Sequence, residues 1–439
     1  MRAKLALFGF VSLLMMGSSA QAQRTDDPEV VWQTTAIPAA TFLGSLGVNT
    51  HVAQGYDYTN YVPAIKYLGV HNVRDAAAYV SNLIDLHNQT GVLINIFNGG
   101  NLSTLIRTGQ SLAQAGALLS FEGANEPNNF PITYNGATGG GSGTWVPVAN
   151  FQRDIYTTVK SDPTLKSYPV FHVSEGGAEV DNVGLQWPTI PKGADTTMPT
   201  GIAYADYANP HNYVSGNCHQ YVDNQAWQAA DPTLNACWDG LYVEYGRTWR
   251  DGYPGPSHEQ LRNLPRVTTE TGWDTVADAG GEDVQGKVLV NTYLAQFTRG
   301  WTYTFIYELG EGEGGGGNQG LFHTDWTPKL SATYIHNLTT ILADTSASGS
   351  PGALNYYIPH KPVTVHNLLL QKSTGAYELV VWGESVSGSA SVDVQLGGTH
   401  AKVNIYDVTV GSTPVQTLTN ANRAIITVSD HAMVVEVIS

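Results

Sequence analysis

The chain predicts an α/β fold: a (β/α)8 barrel followed by a small antiparallel β-sandwich. Two patterns carry this expectation. Between about residues 42 and 342, short apolar, β-branched runs alternate with longer amphipathic stretches, which marks repeated βα units. After a break rich in Ser and Gly at 344–352, the texture changes to short alternating strands separated by turn residues. The 439 residues are 42% hydrophobic and 13% charged, enough to bury a large core. An open doubly wound sheet is the competing arrangement of the same βα units.

Residues 1–22 open the chain with Arg2 and Lys4 ahead of an apolar run at 5–16. That run is about 12 residues, short of the roughly 20 that span a bilayer. Ala20-Gln21-Ala22 then has the small-residue form of a cleavage site. A secretory signal cut before Gln23 is expected, leaving a soluble exported protein with no membrane association. The segment 30–41 lies before the first barrel strand and could supply an additional strand.

Eight barrel strands are expected at 47–51, 72–75, 92–98, 118–123, 169–174, 204–211, 266–271 and 303–309, the short runs that alternate with the amphipathic stretches. Helices are expected at 58–68, 103–115, 148–160, 284–298 and 328–342, where apolar residues recur at helical spacing. Gly-rich stretches at 135–144 and 310–320 follow the fourth and eighth strands, so they become loops on the face where a barrel presents its site. The barrel with its N-terminal segment takes residues 23–344, and the sandwich takes 345–439 with strands at 377–382, 391–396, 402–406 and 424–428.

Charge excludes several partners. Lys plus Arg number 21 against 37 Asp plus Glu, a formal balance of −16, which disfavours nucleic acid, anionic lipid and polyanionic substrates. The 47 Gly, 23 Tyr and 10 Trp suit a loop-rich exported protein with many aromatic rings at its surface, a composition compatible with sugar binding. Only Cys218 and Cys237 are present, and an oxidising compartment would pair them. A loop of that length is worth roughly 3 kcal/mol in the chain-entropy model. Their spacing lacks the partner set of a zinc site, and no cofactor or metal is expected.

Familiar signatures fail and each failure removes a reaction. Neither G-x-S-x-G nor H-E-x-x-H occurs. Residues 281–287 have the glycine and lysine spacing of a phosphate loop, but Val288 replaces the metal-binding hydroxyl and Glu282 and Asp283 would repel phosphate. A turn entering a helix is the better reading. What remains is carboxylate chemistry at strand ends. Phe121-Glu122-Gly123-Ala124-Asn125-Glu126-Pro127 ends the fourth strand, and Val267-Thr268-Thr269-Glu270-Thr271-Gly272-Trp273 ends the seventh. Side chains there point to the mouth of a barrel. Cleavage of a glycosidic bond needs one carboxylic acid to protonate the departing oxygen and one carboxylate to attack or to activate water, and Glu126 and Glu270 could be that pair.

The ordered motifs resemble those of clan A glycoside hydrolases, over most of the mature chain. The resemblance implies that Glu126 is the acid/base, that Asn125 bonds the sugar 2-hydroxyl, and that Glu270 is the nucleophile. It also implies that Arg74, ending the second strand, hydrogen-bonds near the nucleophile, that His211 contacts sugar or the acid/base, and that Tyr213 orients Glu270. Many clan members end the eighth strand with a tryptophan beneath the sugar, whereas this chain reads Phe305-Ile306-Tyr307-Glu308-Leu309. Tyr307 or Trp273 is expected to stack instead. Phe322-His323-Thr324-Asp325-Trp326 with Pro328-Lys329 resembles the approach to the clan's last helix, and the sandwich resembles its accessory domain.

Glu122, Glu175, Glu244, Glu308, Glu311 and Glu313 are rival carboxylates. Glu122 is read as structural, and the Glu308 group as lining a subsite or binding a cation. The expected activity is retaining hydrolysis of a neutral, β-linked oligo- or polysaccharide by an exported enzyme, with Glu126 protonated at the start and its pKa above that of Glu270. A transglycosylase, or a carbohydrate-binding protein that has lost catalysis, are the alternatives. Linkage, endo or exo action and oligomeric state have no sequence signal.

Overall fold

The computed structural model describes residues 32–127, 129–141, 143–174, 203–209, 211, 213–215, 225–226, 264–277, 280–344, 350–362, 364–384 and 388–438. The expected signal at 1–22, Cys218, Cys237, Glu175 and Glu244 lie outside them. Among the described residues, no helix is long and apolar enough to cross a membrane.

The strands, in order, are β1 (Trp32–Thr35), β2 (Ile37–Pro38), β3 (Leu46–Asn49), β4 (Asn72–Ala76), β5 (Leu93–Phe97), β6 (Leu118–Glu122), β7 (Ile132–Tyr134), β8 (Ala137–Gly139), β9 (Val170–Phe171), β10 (Val214–Ser215), β11 (Gln225–Ala226), β12 (Arg266–Thr271), β13 (Trp301–Ile306), β14 (Ala353–Tyr357), β15 (Val365–Gln371), β16 (Tyr377–Gly383), β17 (Ala390–Asp407), β18 (Gln416–Val428) and β19 (Ala432–Ile438).

A seven-stranded parallel sheet runs β12-β13-β3-β4-β5-β6-β9. Parallel bridges Phe171 to Tyr207, Ala208 to Arg266 and His211 to Glu270 place Tyr207, Ala208 and His211 between β9 and β12 and complete the circuit. This is the expected eight-stranded barrel, with its strands close to the expected positions. Glycines in the left-handed region stop the crossover helices Tyr61–Leu68 and Val80–Thr90: Gly69 at φ 68° and Gly91 at φ 79°. Asn101 starts the helix Leu102–Gln114 by accepting the Thr104 N–H at 3.0 Å. The helix Val80–Thr90 was not expected, because its buried stripe is thin: only Leu83 and Leu86 are buried. Residues 281–287 begin the helix Gly281–Thr298, in line with a turn entering a helix, and Lys287 pairs with Asp283 and Asp430 at 2.8 and 3.1 Å.

Inside the barrel, Leu119, Phe171, Val267 and Phe305 form an apolar plug. Above it, toward the carboxyl ends of the strands, the inward residues turn polar: Asn49, Arg74, Asn95, Ser120, Glu122 and Thr269 are all buried. That polar layer sits beneath the mouth.

The second sheet runs β1-β14-β17-β19-β16-β15-β2, with β18 paired to β17. Its end strands β1 and β2 are joined through Ala36 alone, so consecutive residues of the chain serve the two ends of the sheet, which is rolled. Residues 32–38 therefore belong to this sheet, although sequence order groups them with the barrel. The stretches 391–396 and 402–406, expected as two strands, are one bent strand, β17, whose register shifts between Gln395 and His400 around Gly397 and Gly398. Alternation decides which face meets what: Leu379 and Val381 of β16 fill the roll, whereas Val380 and Trp382 join the barrel core. Asn291 donates to the Gly383 and Asp430 carbonyls at 3.0 and 3.2 Å, and Asn337 to the Val408 carbonyl at 2.9 Å, which fastens the roll to the helices Gly281–Thr298 and Leu330–Leu342.

Candidate active site

The site is built on Arg74, an inward residue of β4. A guanidinium has five N–H donors, and all five are used here. Nε and Nη2 bond Glu122 Oε2 and Oε1, both at 2.8 Å. Nη1 bonds Asn49 Oδ1 at 3.1 Å and Glu270 Oε1 at 2.5 Å, and Nη2 also bonds Asn125 Oδ1 at 2.6 Å. Its carbon lies 4.2 Å from the centre of the Phe97 ring. Burial would lower the guanidinium's pKa, but the Glu122 and Glu270 carboxylates hold it above its ordinary value.

Glu270 is 7% exposed and faces the mouth. Its second oxygen accepts from Tyr213 OH at 2.8 Å. Adjacent strand residues ordinarily point to opposite faces. A register irregularity between Thr268 and Thr271 lets both Thr269 and Glu270 serve the interior, Thr269 deep and Glu270 at the rim.

Glu126 follows β6 and adopts φ 41°, in the left-handed region and ahead of a proline, where a non-glycine residue is strained. The Asn129 and Phe130 N–H groups hold its carbonyl at 2.9 and 2.8 Å. Glu126 Oε1 lies 2.7 Å from His211 Nδ1, and Oε2 accepts from Asn129 Nδ2 at 3.1 Å. Burial pushes the Glu126 carboxyl up, but the bond and charge of His211, with Asn129 and Arg74, bring it below its usual value. Tyr213 is raised well above its ordinary pKa by burial and the facing Glu270 and Glu126 charges, so it stays a donor.

An oxygen of Glu126, an oxygen of Glu270 and a ring nitrogen of His211 all lie within 4.8 Å of one another. The spacing would admit a cation, but both Glu270 oxygens are already bonded, and Arg74 supplies the opposing charge. A cavity of about 820 Å³ opens over the pair, lined among others by Asn49, Arg74, Phe97, Asn125, Tyr213 and Tyr307.

Arg74, Asn125, Glu126, His211, Tyr213, Glu270 and Tyr307 thus converge. Trp273 does not: it is 2% exposed, packs in the main core and lines no part of the cavity, so its expected stacking role is withdrawn. Burial raises the Tyr307 hydroxyl above its ordinary pKa, and its ring packs edge-on against His51 at 5.4 Å. Glu122, read as structural, is wholly buried yet belongs to the site's charge network, accepting from Arg74, Asn95 and Thr269. The missed residues Asn49 and Asn95 carried one signal, polar side chains inside otherwise apolar strands, whereas Thr269 stands among polar neighbours and carried none. Of the other carboxylates, Glu311 is ion-paired with Lys329, and Glu313 accepts from Tyr61 OH at 2.8 Å. Burial, with the Glu313 charge, pushes Glu308 up to about 9.

No protein-family model matches the chain, and no curated protein matches its sequence. Solved structures do match. A family 39 glycoside hydrolase from the gut symbiont Bacteroides cellulosilyticus WH2 superposes with a TM-score of 0.58 at 14% identity, over 91% of this chain and 81% of that one. A glucosidase from Croceicoccus marinus gives 0.54 at 8% identity over 86% and 91%. A GH30 endoxylanase from Clostridium papyrosolvens C71 gives 0.51 at 10% identity over 93% and 98%. At these identities the likeness establishes the fold, a barrel with an appended β domain.

Proposed function

We propose that the protein is a retaining glycoside hydrolase acting on a neutral, β-linked oligo- or polysaccharide. One observation carries the reading: two carboxylates from separate strand ends reach within 4.8 Å of one another over an open cavity. Retaining enzymes hold their carboxyl groups about 5–5.5 Å apart, whereas inverting ones leave roughly 6.5–9.5 Å for a water. The similar solved structures are glycoside hydrolases, which supports the same reaction.

In the first step Glu270 attacks the anomeric carbon while Glu126 protonates the leaving oxygen. In the second, Glu126 takes a proton from water, which displaces Glu270 and releases the sugar with its original configuration. Arg74 orients Glu270 and supplies its countercharge. Tyr213 fixes the second Glu270 oxygen, so that attack comes from a defined lone pair. Arg74 occupies the Asn125 carbonyl oxygen, which leaves the amide nitrogen to address a sugar hydroxyl beside the nucleophile. Tyr307 offers the ring at the rim. Removal of residues 1–22 on export, and a Cys218–Cys237 bridge, belong to the same proposal. The mature N-terminus should then read Gln23.

The test is a panel of plant and bacterial polysaccharides and aryl β-glycosides, with the first-formed anomer followed by proton NMR. New reducing ends of retained configuration are expected. Inverted product would refute the double displacement, longer oligomers would indicate transfer to sugar, and binding without cleavage would refute catalysis.

A further inference from the structure

This inference rests on the reading of Glu126 as proton donor and acceptor. How Glu126 keeps its proton is decided below the cavity floor. Asn209 Nδ2 donates to the His172 carbonyl at 3.1 Å, so the other amide atom is an acceptor oxygen. That oxygen takes the Thr269 N–H at 3.1 Å and faces the Thr269 hydroxyl at 2.9 Å. The same hydroxyl lies 3.0 Å from Glu122 Oε1, a fully buried carboxylate tied to Arg74. A hydroxyl has one hydrogen and two lone pairs. Two acceptor-only oxygens claim that hydrogen, so Thr269 Oγ1 presents a lone pair to its third neighbour, His211 Nε2, at 3.0 Å. Nε2 therefore carries a hydrogen. In the neutral ring Nδ1 is then bare, and it lies 2.7 Å from Glu126 Oε1. Two bare acceptors at that distance repel, whereas a proton between them makes a charge-assisted hydrogen bond.

We infer that Thr269, anchored by Glu122 and Asn209, is a positioning residue that fixes His211 in its Nε2–H form and thereby makes the His211–Glu126 pair hold the proton destined for the leaving group. The pair holds this proton between Nδ1 and Oε1. From Oε1 it goes to the departing oxygen as the glycosidic C–O bond breaks and the bond from Glu270 to the anomeric carbon forms. The pair has then lost one positive charge and Glu270, now an ester, one negative charge, so the site's net charge is unchanged. The bare Nδ1 beside ionised Glu126 favours uptake of a proton, which water supplies in the second step. The freed Glu270 carboxylate and the reprotonated pair restore the start. Among the described residues, the charged and titratable groups facing the pair are Arg74 of β4, Glu122 of β6, Glu270 of β12 and Tyr213. His211 Nδ1 lies 3.5 Å from Glu270 Oε2.

The test is 15N NMR of the histidine-labelled full chain, with His211→Gln used for assignment, joined to pH profiles on phenyl and 2,4-dinitrophenyl β-glycosides of glucose, galactose, mannose and xylose. Wild type should show Nε2 protonated throughout. Thr269→Val should admit the Nδ1–H tautomer and move deprotonation of the pair down by about one pH unit. On any glycoside cleaved, Thr269→Val should lower kcat/KM for the phenyl substrate about tenfold on the alkaline side and leave the dinitrophenyl substrate within about twofold, because only the first needs an acid. Thr269→Ser should restore wild-type behaviour. An Nδ1–H tautomer in the wild-type protein would overturn the inference, and so would a Thr269→Val protein with unchanged tautomer and alkaline limb. Absence of any glycoside cleavage would count against the hydrolase reading, and the NMR result would still decide this one.

Discussion

Replacing Arg74 by Met removes one positive charge and five hydrogen bonds while keeping an apolar stem beside Phe97. Two carboxylates are left behind: Glu122, fully buried, and Glu270, whose side chain is 9% exposed. Deleting one partner of a buried ion pair costs about 3–5 kcal/mol, because the survivor stays desolvated and unpaired. Two survivors share this cation, so the loss should lie near the upper end. Replacing Glu122 by Leu as well removes the deeper orphan, and the double variant should regain about 2 kcal/mol relative to Arg74→Met. Asn95 then lacks its acceptor and Glu270 its countercharge, so recovery is incomplete. Urea unfolding at pH 7, followed by circular dichroism and tryptophan fluorescence, gives the four corners of the cycle. A loss under about 1 kcal/mol for Arg74→Met, or corners that add within about 0.5 kcal/mol, would refute the view of Arg74 as the charge hub. Both variants should lack activity, since Glu270 loses its orientation in each.

Glu126→Gln should slow hydrolysis of glycosides with poor leaving groups by about 10²–10⁴-fold while still forming glycosyl-enzyme from dinitrophenyl glycosides. Glu270→Gln should abolish turnover on both with an unchanged far-ultraviolet spectrum, and wild-type turnover by it would remove the nucleophile assignment. Glu308 has a folded pKa of about 9, above its unfolded value, so its contribution is fully present below the unfolded pKa and is lost as pH rises toward 9. At pH 7 the cost is on the order of 3 kcal/mol. Glu308→Gln should therefore stabilise the fold at pH 7–8 in thermal melts and flatten the pH dependence between about 5 and 9. Tyr307→Ala should raise KM several-fold, the effect of losing one ring contact worth roughly 1 kcal/mol. Trp273→Phe should lower stability by about 1–3 kcal/mol and leave KM unchanged, and a KM change there would restore it to the cavity.

Much of the barrel was legible because strand and helix periodicity is a short-range property of the chain: runs such as 92–98 and 266–271 announce themselves by composition alone. The helix Val80–Thr90 escaped because two buried leucines make too weak a stripe, and β17 was split because Gly397 and Gly398 read as a turn although they only bend a continuing strand. The position of 32–38 in the second sheet was not legible, since pairing across more than 300 residues leaves no local trace.

The sequence alone determined which residue types stand at the strand ends and so singled out Glu126 and Glu270, while the resemblance of its motifs pointed to Arg74, His211 and Tyr213. Tertiary structure decided how protons and charge are shared among them: Glu122 inside the network, Trp273 outside the cavity, Glu126 lowered by His211, and Thr269 turned inward beside Glu270. The reason is physical. Periodicity is written within a few residues, whereas electrostatic and hydrogen-bond energies depend on distances of about 3 Å between atoms that the chain separates by tens to hundreds of positions.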